Sequence, residues 1–141
     1  MTRLHRLGAA AAVLLVCSTA ACSKEPSKQA GIPGTTTGAG MEIAFRSETD
    51  PPTTGSHAFE VTVSKDGSPI SDAKVDAVFS MPAMPAMNMP AMRTTATLTP
   101  AGGGRYRGAG QLSMAGTWSV QVTVARNGQE LGTKSLSIVA K

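Results

Sequence analysis

The residues best suited to chemistry are methionines. The run Met81-Pro-Ala-Met84-Pro-Ala-Met87-Asn-Met89-Pro-Ala-Met92 holds five of the chain's eight methionines in twelve residues. A thioether is soft and neutral, and soft sulfur ligands select Cu(I) over harder divalent ions. It also survives conditions that oxidise a thiol, although it can itself become a sulfoxide. Pro82, Pro85 and Pro90 remove backbone donors and clash with a preceding helical turn, so the run is not a helix. They push Met81, Met84 and Met89 toward extended backbone. The segment therefore reads as a loop between two strands, with sulfurs two and three residues apart that can converge on one ion. Met84, Met87 and Met89 belong to no strand and are the leading Cu(I) ligands. Met81 and Met92 stand at the loop's edges, and His57 can complete a mixed His/Met site. The same loop has a second reading. It can be an apolar lid or adaptable surface, by which a metal-free interaction module docks on a membrane complex.

Other chemistries have little to work with. The chain has two histidines and two cysteines, and His5 and Cys17 lie within the first 17 residues. There is no nucleophile–base pair, no carboxylate pair in one motif and no glycine-rich phosphate loop ahead of a helix. The expectation is that the protein is not an enzyme. Asp66, Asp72 and Asp76 do not have calcium-loop spacing. No Lys/Arg cluster with interleaved aromatics occurs, which argues against a nucleic-acid partner.

These residues must be delivered and held. Residues 1–21 read as a signal peptide, with Arg3, His5 and Arg6 ahead of an apolar run from Leu7 to Val16 that is too short to span a bilayer. Small residues then precede Cys22, as in the lipobox of bacterial lipoproteins, whose cysteine becomes the acylated N-terminus. Position 19 holds Thr where Leu is usual, and ordinary cleavage with secretion is the alternative. The expected location is the bacterial cell envelope, lipid-anchored and facing the periplasm or the outside. The expected partners are the membrane, through the anchor, and a copper-handling membrane protein. Removing the leader takes two arginines from the 13 Lys plus Arg and leaves 9 Asp plus Glu untouched, so the excess charge falls from +4 to +2. Residues 22–40, rich in Gly, Thr, Ser and Pro, read as the lipidated cysteine and a flexible tether.

From Met41 the hydrophobic period is two, the mark of half-buried strands. The inward runs are Met41–Phe45, Phe59–Val63, Ala73–Met81, Met92–Leu98, Tyr106–Met114, Trp118–Val124 and Leu136–Ala140. Met81 and Met92 fit this inward phase, so core packing competes with metal ligation at both. Met41 and Met114 read as core. Lys65-Asp66-Gly67, Gly102-Gly103-Gly104 and Asn127-Gly128 mark turns, and Asn-Gly suits the positive φ angles of a tight hairpin. Fifteen glycines, nine prolines and 4% aromatics disfavour a helix bundle. The pattern predicts an all-β domain over 41–141, an immunoglobulin-like antiparallel β-sandwich of about seven strands.

Several of these segments occur together and in order: Phe59-Glu-Val-Thr-Val, Asp66-Gly-Ser-Pro-Ile-Ser-Asp-Ala-Lys-Val, Met81-Pro-Ala-Met84-Pro, Gly104-Arg-Tyr106 and Leu112-Ser-Met-Ala-Gly116-Thr-Trp118-Ser-Val. In that combination residues 41–140 resemble the YtkA-like domain and are similar to the periplasmic part of FixH proteins. The resemblance implies an immunoglobulin-like sandwich in the cell envelope. It also implies a link to copper, because FixH proteins are associated with copper supply to haem–copper oxidases and related domains accompany heavy-metal efflux adaptors. On the lipoprotein reading, a lipid on Cys22 is expected to take the place of the transmembrane anchor of FixH.

Overall fold

A computed structural model describes residues 32–141. Residues 1–31, on which the signal-peptide reading, Cys22 and the first part of the tether reading fall, lie outside the described residues. Within them the chain is all-β: β1 (Thr35–Thr37), β2 (Met41–Ser47), β3 (Gly55–Lys65), β4 (Ser68–Pro69), β5 (Lys74–Met81), β6 (Met92–Gly102), β7 (Arg105–Leu112), β8 (Gly116–Arg126) and β9 (Gln129–Ala140). Seven of the nine are the expected strands. The two additions are short. The β4 pair extends the turn after β3, and β1 pairs with β9.

All pairings are antiparallel, in the order β1-β9-β8-β5-β6-β7-β3-β2. Strand β6 makes a sandwich of what would otherwise be one sheet. Its first half, Met92–Leu98, pairs with β5, and Thr99–Gly102 pairs with β7 across a bulge between Pro100 and Gly102. A bulge bends the strand and increases its twist. The two sheets therefore share β6 at one corner and diverge toward its Met92 end. On the other side, Ile32 donates its N–H to Phe45 O at 2.8 Å, so the segment leading into β1 reaches across to β2.

Side chains alternate between core and solvent as the period predicts. Phe45, Val61, Val75, Phe79, Tyr106, Leu112 and Trp118 are fully buried. Phe45, Phe59 and Phe79 meet in the centre with ring centroids 4.8–6.3 Å apart. Gly110 lies beside them for a steric reason: a Cβ there would come within 2.6 Å of the Phe79 ring. Two further aromatics tie strand ends to the core. The Tyr106 hydroxyl donates to Ile70 O at 2.9 Å and accepts from Ala73 N–H at 3.0 Å. The Trp118 indole N–H donates to Met114 O at 3.0 Å.

Strand directions sort the connections into two ends. The turns Asp66-Gly67, Gly103-Gly104 and Asn127-Gly128 lie at one, the turn end. The loop before β3, the β5–β6 loop, the β7–β8 turn and Lys141 lie at the other, the hairpin end. Among the described residues no helix is long and apolar enough to cross a membrane.

Candidate metal centre

The methionine segment continues the β5–β6 pairing past the sheet proper. Met81 and Met92 are the last register pair of the two strands. Three residues further on, Met84 and Met89 form a second antiparallel bridge, with Met84 N–H donating to Met89 O at 2.9 Å and Met89 N–H to Met84 O at 3.2 Å. Each arm of this extension reads Met-Pro-Ala-Met, over 81–84 and over 89–92. Because the arms run antiparallel, the repeat places methionine opposite methionine twice. Directly opposed residues in an antiparallel pair have Cα atoms only ~4.5–5.5 Å apart, well within reach of two thioether side chains.

The tip is a single 3-10 turn, Pro85–Met87. The prolines do exclude an α-helix, but Pro85 sits at the first helical position, where its missing donor costs nothing. Asn88 closes the turn at φ 53°, in the left-handed region that asparagine tolerates better than most residues. Its N–H donates to Pro85 O at 3.0 Å, and the Met87 N–H donates to Met84 O at 3.0 Å. The N–H groups of Met84, Met87, Asn88 and Met89 are thus satisfied within the tip, and the thioethers carry no structural hydrogen-bonding duty.

The five methionines grade from core to solvent. Met81 is buried, and its methyl group lies 3.1 Å from where a Cβ on Gly116 would be. Met92 is half-buried and packs on the core, as does Met114 from the β7–β8 turn. Met84 is also half-buried against the core, although no strand phase places it there. Met89 is half-buried and Met87 is 60% exposed. Met84, Met87 and Met89, the three methionines without a strand, therefore lie together at the outer end of one hairpin. Met81 and Met92 lie beneath them at its base. Met41 is core, as its phase indicates.

His57 stands apart from this arrangement in its bonding. It opens the inward phase of β3, pairs across to Gly110, and its Nε2 lies 3.0 Å from the Thr53 hydroxyl. That partner comes from the preceding loop, not from the methionine hairpin. Among the described residues no three His, Cys, Asp or Glu side chains group as a metal site.

The titratable groups with displaced pKa values belong to the sheets and the turn end. A hydrogen bond from Arg126 holds the Asp72 carboxyl below its usual range. For Asp76, partial burial pushes upward, but the Thr97 hydroxyl at 2.7 Å and Lys74 at 3.1 Å outweigh it and the net shift is downward. Lys134, on the inward face of β9 behind β1, is pushed down by burial, with Glu42 partly opposing. The segment 82–92 itself contains no titratable side chain.

Comparison with curated proteins finds no match. The model of the YtkA-like family matches residues 36–123, from β1 through most of β8 and across the whole methionine hairpin. That span is more than half of the chain, and the chain belongs to the YtkA-like family.

Proposed function

We propose that this protein is an envelope Cu(I)-binding domain that carries its ion on the methionine hairpin, as chaperone, buffer or resistance factor. The observation that carries the reading is the double Met-over-Met pairing of two antiparallel Met-Pro-Ala-Met arms, capped by Met87. Met81, Met84 and Met92 pack on the core, but packing does not account for the length of the loop or for Met87 and Met89, since a hairpin needs only a two-residue turn to join β5 to β6. The hairpin presents soft, uncharged donors at graded depth. Met87 can meet an incoming ion, Met84 and Met89 stand opposite each other behind it, and Met92 and Met81 extend the sulfur surface toward the core. Such a set suits monovalent copper as cargo, because thioethers discriminate against the harder divalent ions. Release to a partner is favoured for the same reason, since neutral thioethers bind less tenaciously than thiolates. We read Cys22 as the lipid anchor and the recipient or donor as a copper-handling membrane protein.

The test is a Cu(I) titration against a competing chelator, comparing the parent with Met84→Leu/Met87→Leu/Met89→Leu. Leu preserves apolar bulk at a packing cost typically below ~1.5 kcal/mol per site and deletes the sulfur. The triple variant should stay folded and lose affinity by orders of magnitude, because the soft donors that select Cu(I) are gone. Parent-like affinity in the triple variant refutes the assignment. The docking reading predicts the reverse pattern, with Leu tolerated throughout and Ser damaging partner capture.

A further inference from the structure

We infer that the domain rests on the bilayer surface by its hairpin end, with Met87 and Val139 in apolar contact with lipid. This rests on reading Cys22 as the anchor, and three observations support it.

The first is where the chain enters the fold. Strand β1 pairs Thr35 with Ser135, so Ile32 lies level with Ile138. Ile138 pairs with Trp118, Ser119 with Ser80, and Met81 with Met92. The chain thus enters at the height of the hairpin base, three strand spacings away, or roughly 15 Å. The second is reach. From Cys22 to Ile32 the chain spans at most about 36 Å. The sandwich is about as long, since an 11-residue strand such as β3 extends about 36 Å. The anchor therefore keeps the hairpin end within one domain length of the bilayer, and the turn end lies a further domain length from the point of attachment.

The third is the surface itself. Met87 at 60% and Val139 at 53% are the large hydrophobic side chains exposed among the described residues. Both lie at the hairpin end, far from the charged turn end. Around them stand exposed Pro85, Ala86 and Ala115, and Ile32, Pro33 and Pro51 line a shallow apolar depression beside Val139. Arg93 and Lys141 at this end are offset by Glu48 and Asp50. The contact is therefore apolar in origin and does not require anionic lipid. A hairpin facing the bilayer also presents its thioethers to a membrane-embedded protein.

The experiment uses isotope-labelled protein purified from membranes and placed in zwitterionic nanodiscs that contain a paramagnetic lipid. Intact mass first reports whether Cys22 is acylated. If it is not, the anchor reading fails, and coupling the Cys22 thiol to a maleimide lipid still allows the orientation to be measured. Relaxation enhancement should be several-fold larger at the amides of Ala86, Met87, Ala115 and Val139 than at Gly67, Gly103 and Gly128. Met87→Ser/Val139→Ser should cut that difference substantially while leaving the fold intact. Equal enhancement at both ends, or a difference unchanged in the double variant, overturns the proposal.

Discussion

At the turn end the chain reverses in two residues wherever it can. At the hairpin end it takes ten residues, 82–91, to join two strands that are already paired at Met81 and Met92. The turn end meets its strict backbone demands with positive φ at Asp66, Gly67, Gly103, Gly104, Asn127 and Gly128. It is also where Tyr106 ties the approach to β5 to the core, and where Arg126 pairs with Asp72. The hairpin tip bonds Met84, Met87, Asn88 and Met89 N–H locally and places soft, uncharged side chains on the outside. One end is built to fix the fold, and the other is an addition that the fold supports.

If that division is right, the hairpin can be cut away. Replacing residues 82–91 with Asn-Gly leaves Met81 and Met92 as the pair flanking a two-residue turn. Shortening a loop changes stability only modestly, by about 1 kcal/mol, whereas Cu(I) affinity should fall by orders of magnitude. Chemical denaturation and chelator competition on the same sample separate the two. Unfolding of this variant would show that the fold needs the hairpin, and retained affinity would show that the copper site lies elsewhere.

The turn end should show the opposite profile. Tyr106→Phe removes the hydroxyl that serves Ile70 O and Ala73 N–H, both buried with it. A buried donor left unpaired costs about 1–3 kcal/mol, read as a lower denaturation midpoint. Copper affinity should not change.

Acid provides a milder probe. Asp72 and Asp76 have pKa values below the usual carboxylate value, so the unfolded chain binds protons more tightly than the folded one. Their contribution to stability is present above the ordinary carboxylate range and is lost as pH falls through the lowered values. Asp76→Asn should flatten that acid limb of a pH–stability curve. Copper affinity between pH 5 and 8 should stay level, because thioethers have no proton to exchange. The smallest expected effect is at His57. With its Nε2 beside Thr53, His57→Ala should change copper affinity by less than about twofold, and a larger loss would bring the imidazole into the site.

The seven long strands were legible because each buries one face, and alternation of the kind seen in Phe59–Val63 or Trp118–Val124 has no other simple cause. Strand β1 was not. Thr35–Thr37 does not alternate, and its neighbours are glycines. Gly34 is needed because a Cβ there would come within 2.5 Å of Ser135 O. A composition that reads as tether also suits a strand pressed closely against β9. The β6 corner was hidden too, since a bulge between Pro100 and Gly102 leaves no periodic trace that separates one sheet from two. In the methionine segment, residue type and loop placement were readable, and the pairing was not. Three prolines erase the period, so nothing in sequence shows Met84 turning back onto the core. The antiparallel match of the two Met-Pro-Ala-Met arms is in the sequence as a repeat, but it acquires meaning only once Met81 is seen opposite Met92.

Methionine methyl NMR reads each sulfur of the hairpin separately. Protein labelled with 13C at the methionine methyls is titrated with Cu(I) under reducing conditions. Large, saturable shifts are expected for Met84, Met87 and Met89 at one equivalent, smaller ones for Met92 and Met81, and none for Met41 or Met114. Shifts that spread evenly over all methionines, or a hairpin that stays silent while copper binds, would remove the hairpin as the copper site.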